Sequence, residues 1–359
     1  MSKLKTALVF GGVSSEHEVS CRSAATWARA LDPDKYEVYY IGITKTGRWL
    51  RCLCTPDQMA DGSWEQGETI PCFVSPDRQL GGLVQLEESG CTVLPLDLAL
   101  PVLHGKNGED GTIQGLFELA GIPYVGCGVL ASAVCMDKAV ANSLLDAAGI
   151  PRCAWDWEWA DEAITGFDAL AARLEKKLGW PIFVKPANAG SSVGVSKAAD
   201  RDALRRAIEI AAAEDSKIVF ERFVDGQEVE CAVMGNRHPQ ASQPGEILAS
   251  EEFYTYEDKY IKGTSRTRIP ADLAPAVLER VRTTAVKAYR ALGCEGLSRV
   301  DFFVEKNTGR VLLNEINTLP GFTAISMYPQ MMAHSGLSLP QQLDRLAELA
   351  LERAGKRHG

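Results

Sequence analysis

The sequence predicts an α/β protein, and three patterns along the chain support this fold class. The first third alternates apolar strands with a helix and has glycines where strands end, which is typical of an open parallel sheet. The middle third has the order strand, loop, strand, helix, strand, which indicates a compact α+β lobe. The last third contains a β-hairpin between amphipathic helices. We therefore predict three units, at residues 1–126, 127–224 and 225–359.

The first unit opens with an apolar run at residues 6–12 that ends in two glycines, and we predict a buried strand there. Residues 18–31 have apolar or small side chains at helical spacing and predict a helix. Further strands are predicted at 38–43 and 98–103, whereas the turn-rich stretch 55–90 supports no assignment. Because ligands of open α/β sheets bind at the carboxyl ends of strands, we expect functional residues beside the glycines.

The second unit begins with a predicted helix at residues 136–148, which ends at a glycine and a nearby proline. The elements that follow are a strand, a small-residue loop, a helix and a strand, at residues 182–186, 188–194, 203–213 and 218–224.

The third unit contains a long polar and aromatic stretch at residues 251–269, which we expect to act as a lid because such segments in compact enzymes are commonly functional. The hairpin is predicted from strands at 298–305 and 310–317 joined by a turn that contains glycine. A further strand and two helices are predicted at 229–234, 273–289 and 339–354.

The composition is that of an ordinary globular protein. Hydrophobic residues make up 46% and charged residues 24% of the 359 positions, which excludes long disorder, collagen and coiled coil. The 47 acidic residues outnumber the 38 lysines and arginines, so the net charge is −9. A chain of this charge lacks the basic surface of a general nucleic-acid binder, and no nucleic-acid partner is predicted.

We expect a cytoplasmic protein without a membrane segment. No apolar run is long enough to span a bilayer, and the N-terminal apolar stretch lacks a small-residue cleavage site. The ten cysteines contain no Cys-x-x-Cys pair, which is typical of reduced thiols used as small hydrophobic side chains. The five histidines have no ligand spacing, so zinc is not predicted.

The hairpin carries the strongest chemical signal. Strand residues alternate faces, so Arg299 shares a face with Asp301, and Glu315 shares one with Asn317. The turn between the strands brings Asp301 and Glu315 within one residue of register. A few hard oxygen ligands of this kind suit Mg²⁺ bound together with phosphate oxygens. The alternative is a solvated strand face.

Two glycine-containing loops could bind anions. The loop at 188–194, preceded by Lys185, can direct N–H and hydroxyl donors at phosphates, although it does not match the P-loop pattern, and a plain hairpin loop is the alternative. The N–H of Gly321 beside Arg299 would form an oxyanion site for acyl transfer, and a simple tight turn is the alternative. Gly11-Gly12 lacks the dinucleotide fingerprint, so a nicotinamide oxidoreductase is not predicted.

A nucleotide-binding edge is predicted at residues 221–224. The backbone of this strand could bond adenine, and the carboxylate of Glu228 could bond ribose hydroxyls. An ordinary strand and turn is the alternative.

Seven sequence blocks, in order, resemble the D-alanine–D-alanine ligases of the ATP-grasp superfamily. They are GGVSSEHEVS at 11–20, HGKNGEDG at 104–111, MDK at 136–138, VKPANAGSSVG at 184–194, FYTYEDKY at 253–260, RVD at 299–301 and NEINTLPGFT at 314–323. The resemblance implies a three-domain ATP-grasp fold, in which two α+β lobes hold ATP beside an open parallel α/β domain. It also implies ATP-dependent joining of two D-alanines through an acyl phosphate, for peptidoglycan precursor synthesis.

The resemblance further implies a role for each matching residue. The residues implied to contact ATP are Lys138, Lys185, Ser192, Glu221, Arg222, Phe223, Val224, Glu228 and Asn314. Those implied to bind two Mg²⁺, which Mn²⁺ could replace, are Asp301, Glu315 and Asn317. Those implied to act in catalysis are Glu16, Ser191, Tyr260, Arg299, Gly321 and Ser326, and those implied to line the D-alanine sites are His104, Lys259 and Met327. Relatives are usually homodimers, so we expect a dimer.

Three other functions stay open at this point. A ligase that uses D-lactate or D-serine as acceptor is the nearest alternative, but Tyr260 disfavours lactate and Met327 disfavours serine. A catalytically inactive ATP-binding regulator is disfavoured because the predicted catalytic and metal-binding residues form a complete set. An ATP-grasp ligase with other substrates is disfavoured by Glu16, Ser191 and Tyr260 together.

Overall fold

The computed structural model describes residues 2–190, 193–248, 266–323 and 325–357. Within these ranges the strands form three sheets that follow one another along the chain.

The first sheet combines parallel and antiparallel strands. Its strands are β1 (Leu4–Gly11), β2 (Tyr36–Ile43), β3 (Trp49–Cys52), β4 (Thr69–Val74), β5 (Gly82–Glu87), β6 (Gly90–Pro95) and β7 (Leu98–Val102). Their order is β6-β5-β4-β3-β2-β1-β7, and β1 runs parallel to both β2 and β7. The predicted parallel arrangement is confirmed at this centre. The strands β3 to β6, which include the unassigned stretch, extend the sheet as an antiparallel meander.

The helices of this unit are α1 (His17–Ala30), α2 (Pro56–Asp61) and α3 (Thr112–Ala120), with a 3₁₀ turn at Ser63–Gln66. Strand β1 is buried from Thr6 to its end, as expected for a central parallel strand that is covered on both faces. The chain then turns sharply into α1. A Cβ atom on Gly11, which has a φ of +86°, would lie 2.3 Å from the carbonyl oxygen of Ile43, so this turn requires glycine.

The second sheet is antiparallel and follows two short helices, α4 (Val129–Met136) and α5 (Lys138–Ala147). Its strands are β8 (Trp155–Trp159), β9 (Ile182–Pro186), β10 (Ser196–Ala198) and β11 (Lys217–Arg222), in the order β10-β9-β11-β8. Helices α6 (Ala160–Thr165), α7 (Phe167–Leu178) and α8 (Arg201–Ala212) pack on this sheet and share one apolar core with it.

The helix predicted at 136–148 is confirmed as α5, which begins two residues later than predicted, at Lys138. Asp137 has an extended conformation and separates α4 from α5, and its side chain accepts hydrogen bonds from the N–H groups of Ala139 and Val140. An aspartate in this position caps a new helix and thereby favours the break. Residues of both helices, including Cys135 and Leu145, pack in the core of the third sheet. The boundaries of the three units stay predictions.

The third sheet is antiparallel and contains the predicted hairpin. Its strands are β12 (Gly226–Met234), β13 (Gln240–Ala241), β14 (Gly245–Leu248), β15 (Arg266–Arg268), β16 (Leu297–Glu305) and β17 (Val311–Asn317). The order is β15-β14-β12-β16-β17, and β13 pairs with β12. Helices α9 (Pro275–Ala291), α10 (Met327–His334) and α11 (Leu339–Arg357) complete the fold. No helix among the described residues has the length and apolar composition needed to cross a membrane.

One apolar core joins the first unit to the third. Trp27 of α1 packs edge-to-face on Phe322, with ring centroids 5.0 Å apart, and Phe322 in turn contacts Tyr328 of α10. Residues of α1, α10 and α11 belong to this same core. The loop between β17 and α10 is therefore held against the N-terminal unit.

Candidate active site

A cavity lies where the first unit, the start of α5 and the hairpin of the third sheet meet. The residues that line it are Glu16, His104, Glu109, Cys135, Met136, Lys138, Ala189, Gly190, Glu230, Arg299, Glu315, Ile316, Asn317, Thr318, Gly321, Thr323, Ile325, Ser326 and Met327. Nine of the predicted site residues are in this set: Glu16, His104, Lys138, Arg299, Glu315, Asn317, Gly321, Ser326 and Met327.

Glu16 is an almost fully buried carboxylate at the start of α1. Its backbone N–H bonds the hydroxyl of Ser14, which itself donates to the carbonyl of His104 at 2.6 Å. Two glycines from distant parts of the chain leave room for the side chain, because a Cβ atom on Gly105 or on Gly190 would lie 2.9 Å from Glu16 Oε2. The fold thus closes a small anionic pocket around this carboxylate, of the kind that suits an ammonium group.

His104 is buried at the carboxyl end of β7. Its Nδ1 lies 3.0 Å from the carbonyl oxygen of Leu319, and its Nε2 lies 3.1 Å from the hydroxyl of Ser23. Burial by itself would lower the pKa of His104, but the carboxylates of Glu109 and Glu16 outweigh it and raise the pKa above its ordinary value. This histidine therefore connects the N-terminal unit to the loop that carries Gly321.

The hairpin register agrees with the prediction. Asp301 pairs directly with Glu315, and Arg299 pairs with Asn317. A β-bulge follows, because Phe302 pairs with Leu313 and leaves Asn314 without a partner residue on β16. Bulges redirect side chains, and here the bulge brings Asn314 within reach of Lys185, at 3.3 Å, beside the carboxylate of Glu315.

Arg299 forms a buried ion-pair network. Its guanidinium donates two hydrogen bonds to Asp301, at 2.8 and 2.7 Å, and its Nε lies 3.2 Å from Glu230. Burial alone would lower the pKa of Arg299, but Asp301 and Glu230 outweigh it and raise the pKa further. Arg299 is therefore a permanent cation that lines the cavity in a fixed orientation.

Two lysines approach the hairpin from the second unit. Lys138 donates to the carbonyl of Ala189 at 2.7 Å and lies 3.9 Å from Glu315. Lys185 lies 2.6 Å from Glu221 and donates to Asn314. Burial would lower the pKa of Lys185, but the carboxylates of Glu221 and Glu315 keep it above its ordinary value. The ammonium group of Lys185 is therefore charged beside the predicted phosphate site.

The predicted adenine-binding strand lies beside these lysines. Its backbone offers fewer donors than the sequence suggested, because the N–H of Arg222 bonds the carbonyl of Ala154 and the N–H of Phe223 bonds that of Pro181. The Arg222 side chain donates to the carbonyl of Leu178, and Phe223 stacks on Phe183. Val224 and Glu228 are both half-buried beyond the end of β11.

The loop after β17 carries the remaining predicted groups. The amide oxygen of Asn317 accepts the N–H of Leu319 at 2.9 Å. A Cβ atom on Gly321 would lie 3.0 Å from the hydroxyl of Ser326, which also accepts the N–H of Thr323. Met327 is buried at the start of α10 and packs against Gly245. The predicted residues Ser191, Ser192, Lys259 and Tyr260, and residues 251–265 of the predicted lid, lie outside the described residues.

The hairpin suits a hard divalent cation. Asp301 and Glu315 face each other across two strands, and each carboxylate or amide oxygen has a lone pair beyond the one bound to Arg299 or Leu319. Within the described ranges, no group of three or more histidine, cysteine, aspartate or glutamate side chains is placed to hold a metal ion alone. This chemistry fits Mg²⁺, which binds through one or two carboxylates together with phosphate oxygens and water.

Some lining residues were missed from the sequence. Glu230 was detectable, because it lies on the predicted strand 229–234 and follows Glu228 by two positions, so the two share a face of β12. Glu109 lies in a quoted motif, yet only the fold shows that its carboxylate is 3.6 Å from His104. Ser23 lies outside the cavity lining but bonds His104, and it has no sequence signal, since its two partners are 81 and 299 residues away.

Comparison with known proteins agrees with this geometry. The family model for the D-ala D-ala ligase N-terminus matches residues 5–127, and that for the D-ala D-ala ligase C-terminus matches residues 144–348. A D-alanine–D-alanine ligase of Caldicellulosiruptor bescii is 49% identical, with 98% of this chain and 96% of the relative covered. One of Acetivibrio thermocellus is 48% identical with the same coverage.

Two solved structures are similar along nearly their whole length. The D-Ala:D-Ser ligase VanG of Enterococcus faecalis superposes with a TM-score of 0.88 at 38% identity, covering 97% of this chain and 100% of that one. The D-alanine-D-alanine ligase of Coxiella burnetii superposes with a TM-score of 0.87 at 35% identity, covering 100% and 97%. The matched models, the relatives and the shared fold establish that this chain belongs to the D-alanine–D-alanine ligase family.

Proposed function

We propose that this chain joins two D-alanines to D-alanyl-D-alanine, with conversion of ATP to ADP and phosphate, for the synthesis of peptidoglycan precursors. The observation that carries the proposal is the grouping of one buried carboxylate, Glu16, with the cation of Arg299 and the backbone of Gly321 in one cavity. An amino acid can place its ammonium group at the carboxylate and its own carboxylate at the cation.

The first step activates the carboxylate of the first D-alanine. Glu16 holds the ammonium group in its charged form, so only the carboxylate is free to react. That carboxylate attacks the γ-phosphate of ATP, which forms an acyl phosphate and releases ADP. Lys138 and Lys185 offset the negative charge of the phosphates, because both are cations close to the hairpin.

The second step forms the peptide bond. The neutral amine of the second D-alanine attacks the acyl carbon, and phosphate leaves from the tetrahedral intermediate. Arg299 and the N–H of Gly321 stabilise the oxyanion that develops in this step. Ser326 offers a hydroxyl to the acceptor's carboxylate, Met327 lines the space for its methyl group, and Lys259 supplies a cation by resemblance.

The hairpin would hold the metal. Asp301, Glu315 and Asn317 would supply the oxygen ligands for the two Mg²⁺ that the family resemblance implies, and Mn²⁺ could replace them. When bound, the metal neutralises phosphate charge. The nucleotide base and ribose are assigned to the strand that ends at Val224 and to Glu228.

D-serine is the second candidate acceptor. The similarity in fold and sequence to the D-Ala:D-Ser ligase VanG favours it. The buried thioether of Met327 disfavours it, because an apolar side chain offers no partner to a serine hydroxyl. We therefore place D-alanine before D-serine, and D-lactate last.

One experiment tests the proposed reaction. Phosphate release and dipeptide formation are measured with ATP, Mg²⁺ and D-alanine alone, and then with D-serine or D-lactate added in competition. D-alanyl-D-alanine as the main product supports the proposal. Mixed products dominated by D-alanyl-D-serine would assign the chain to the serine-using ligases, and no phosphate release with any acceptor would refute a ligase activity.

We further propose that the protein is a cytoplasmic homodimer. Each chain is proposed to contain three units, at residues 1–126, 127–224 and 225–359. The family resemblance supports the dimer, and the cysteine pattern supports the compartment. Light scattering at micromolar concentration tests the assembly, and a monomer mass would contradict it. Limited proteolysis tests the boundary near residue 225, where Asp225 is exposed and cleavage is expected.

A further inference from the structure

We infer that Ser23 is a positioning residue that holds the loop carrying Gly321 in its active shape. Ser23 lies on α1 and is completely buried. Its hydroxyl oxygen accepts the N–H of Phe322 at 3.3 Å and lies 3.1 Å from Nε2 of His104. The inference rests on the proposed function, because it assigns Gly321 the oxyanion role described above.

The loop is held at two points on either side of Gly321. The carbonyl of Leu319 can only accept a hydrogen bond, so Nδ1 of His104 carries a proton and donates to it at 3.0 Å. Phe322 is held by Ser23 through its own N–H. The two peptide groups that flank Gly321 lie between these two hydrogen bonds. Neither peptide group can rotate without breaking one of the hydrogen bonds.

The Ser23 oxygen keeps its contacts with His104 and Phe322 in either protonation state of His104. When the ring is neutral, Ser23 donates its hydroxyl hydrogen to Nε2 and accepts from Phe322. When the ring is protonated, Nε2 donates to Ser23 instead. The buried Ser23 hydroxyl therefore keeps partners in both states, and the loop stays attached.

The same helix also presents Glu16. Ser23 follows Glu16 by seven residues, which is about two helical turns, so both groups lie on one side of α1. Glu16 is assigned to the ammonium end of the first amino acid and Gly321 to its carboxylate end. Helix α1 thus sets the spacing between the two ends of the substrate site.

The contacts of Ser23 predict a specific defect on substitution. Replacing Ser23 by alanine leaves the N–H of Phe322 and Nε2 of His104 without this partner, so the backbone on the Phe322 side of Gly321 loses its hydrogen bond to α1 and only the packing of the Phe322 ring holds it there. We expect the turnover number to fall by about tenfold to a hundredfold, somewhat less than the loss of an oxyanion donor itself. The KM for ATP should change by less than about twofold, because the hydroxyl of Ser23 bonds His104 and Phe322 and, among the described residues, none of those assigned to the nucleotide.

The test combines hydrogen exchange with kinetics on the full chain. Exchange is followed by mass spectrometry in peptides that cover residues 319–323, without substrates, for Ser23→Ala and for Ser132→Ala as a matched control. Ser132 is also fully buried on a helix, α4, and its hydroxyl donates to the carbonyl of Cys127 at 3.5 Å. Exchange in these peptides should quicken at least about tenfold in Ser23→Ala and stay unchanged in Ser132→Ala.

The outcomes separate this inference from the proposed function. Faster loop exchange together with a reduced turnover number supports it, and Ser23→Cys, which retains a weaker acceptor, should lie between the wild type and alanine. Unchanged exchange at 319–323, or an unchanged turnover number, would overturn it. Should Ser23→Ala not fold, Ser23→Cys decides by the same two measurements. If the unmodified chain makes no dipeptide, the proposed function fails, while hydrogen exchange alone still tests whether Ser23 holds the loop.

Discussion

The ammonium group of Lys185 lies 2.6 Å from the carboxylate of Glu221, and the two side chains are only 13% and 7% exposed. Burial would raise the pKa of Glu221, but the charge of Lys185 outweighs it and keeps the pKa below its ordinary value. The pair joins β9 to β11 and places a fixed cation next to Asn314 on the hairpin.

The first prediction concerns the stability that this pair contributes. Glu221→Gln leaves Lys185 with no full counter-charge at 2.6 Å, and removal of one partner of a buried ion pair typically costs about 3–5 kcal/mol. We expect the loss of unfolding free energy to be near the lower end of this range, because the negative charge of Glu315 also stabilises the charged form of Lys185. Urea unfolding measures it. The control is Asp225→Asn, which breaks an equally short but exposed pair with Lys306 and should cost about 0–1 kcal/mol. Equal losses in both variants would contradict the assignment.

The same pair sets a pH window. The lowered pKa of Glu221 means that its contribution is present above the unfolded-state value of about 4.3 and is lost as the pH falls through the folded value. The raised pKa of Lys185 means that its contribution is present below about 10.4 and is lost as the pH rises through the folded value. The difference in the free energy of unfolding between wild type and Glu221→Gln should therefore be constant from about pH 6 to 9 and shrink below about pH 4. A difference that changes across pH 6–9 would argue against the pair as its source.

The second prediction concerns the metal ligands. Glu315 is 38% exposed and lies 3.9 Å from Lys138, so Glu315→Gln should alter the free energy of unfolding by less than about 1 kcal/mol. Turnover should fall by roughly a hundredfold or more, since a metal ligand is lost. Calorimetric titration of Mn²⁺ with a non-hydrolysable ATP analogue should show weaker binding. Glu305→Gln, at the other end of the hairpin, is the control that keeps activity. Full Mg²⁺-dependent turnover in Glu315→Gln would remove Glu315 from the metal site.

The third prediction concerns the choice of acceptor. A buried hydroxyl without a partner costs about 1–3 kcal/mol, so D-alanine should be preferred over D-serine by roughly tenfold to a hundredfold beside Met327. Met327→Arg should narrow this ratio, because the guanidinium can donate to the serine hydroxyl. Met327→Leu keeps an apolar side chain and should preserve the ratio. Competition assays with both amino acids measure it, and an equal or higher rate with D-serine in the unmodified chain would reverse the assignment.

The fourth prediction follows from the raised pKa of His104. A group whose pKa is higher in the folded state adds stability that is fully present below its unfolded value of about 6.5 and is lost as the pH rises through the folded value. The wild type should therefore lose more stability than His104→Gln between pH 6 and pH 9. Glu109→Gln should reduce this pH dependence, because Glu109 is the nearest carboxylate, 3.6 Å away. Parallel stability curves for wild type and His104→Gln would refute the role of this ionisation.

The hairpin shows how far local pattern extends. Alternation along two strands, with a short turn between them, was enough to predict that Asp301 and Glu315 face each other. The same pattern could not reveal the bulge at Asn314, because a bulge depends on how two strands pair and not on the alternation within either strand. Only the bulge explains why Asn314 reaches Lys185.

The errors in the fold have a similar origin. The start of α5 was predicted two residues early, because the Asp137 side chain that caps the helix at Lys138 is a single local contact. The antiparallel strands between Trp49 and Pro95 are short and rich in turn residues, so no period of two or of 3.6 extended long enough to be recognised.

The sequence by itself determined the fold class, the elements around the site and most of the charged groups in it. These features could be predicted because they depend on residues a few positions apart and on the order of the motifs along the chain. The tertiary structure alone decided which distant groups meet. Gly105 and Gly190 close around Glu16, and Ser23 reaches Phe322 across 299 residues. Such contacts are set by the packing of α1 against the loop after β17. They join residues that are far apart in the chain, so no pattern among neighbouring residues can predict them.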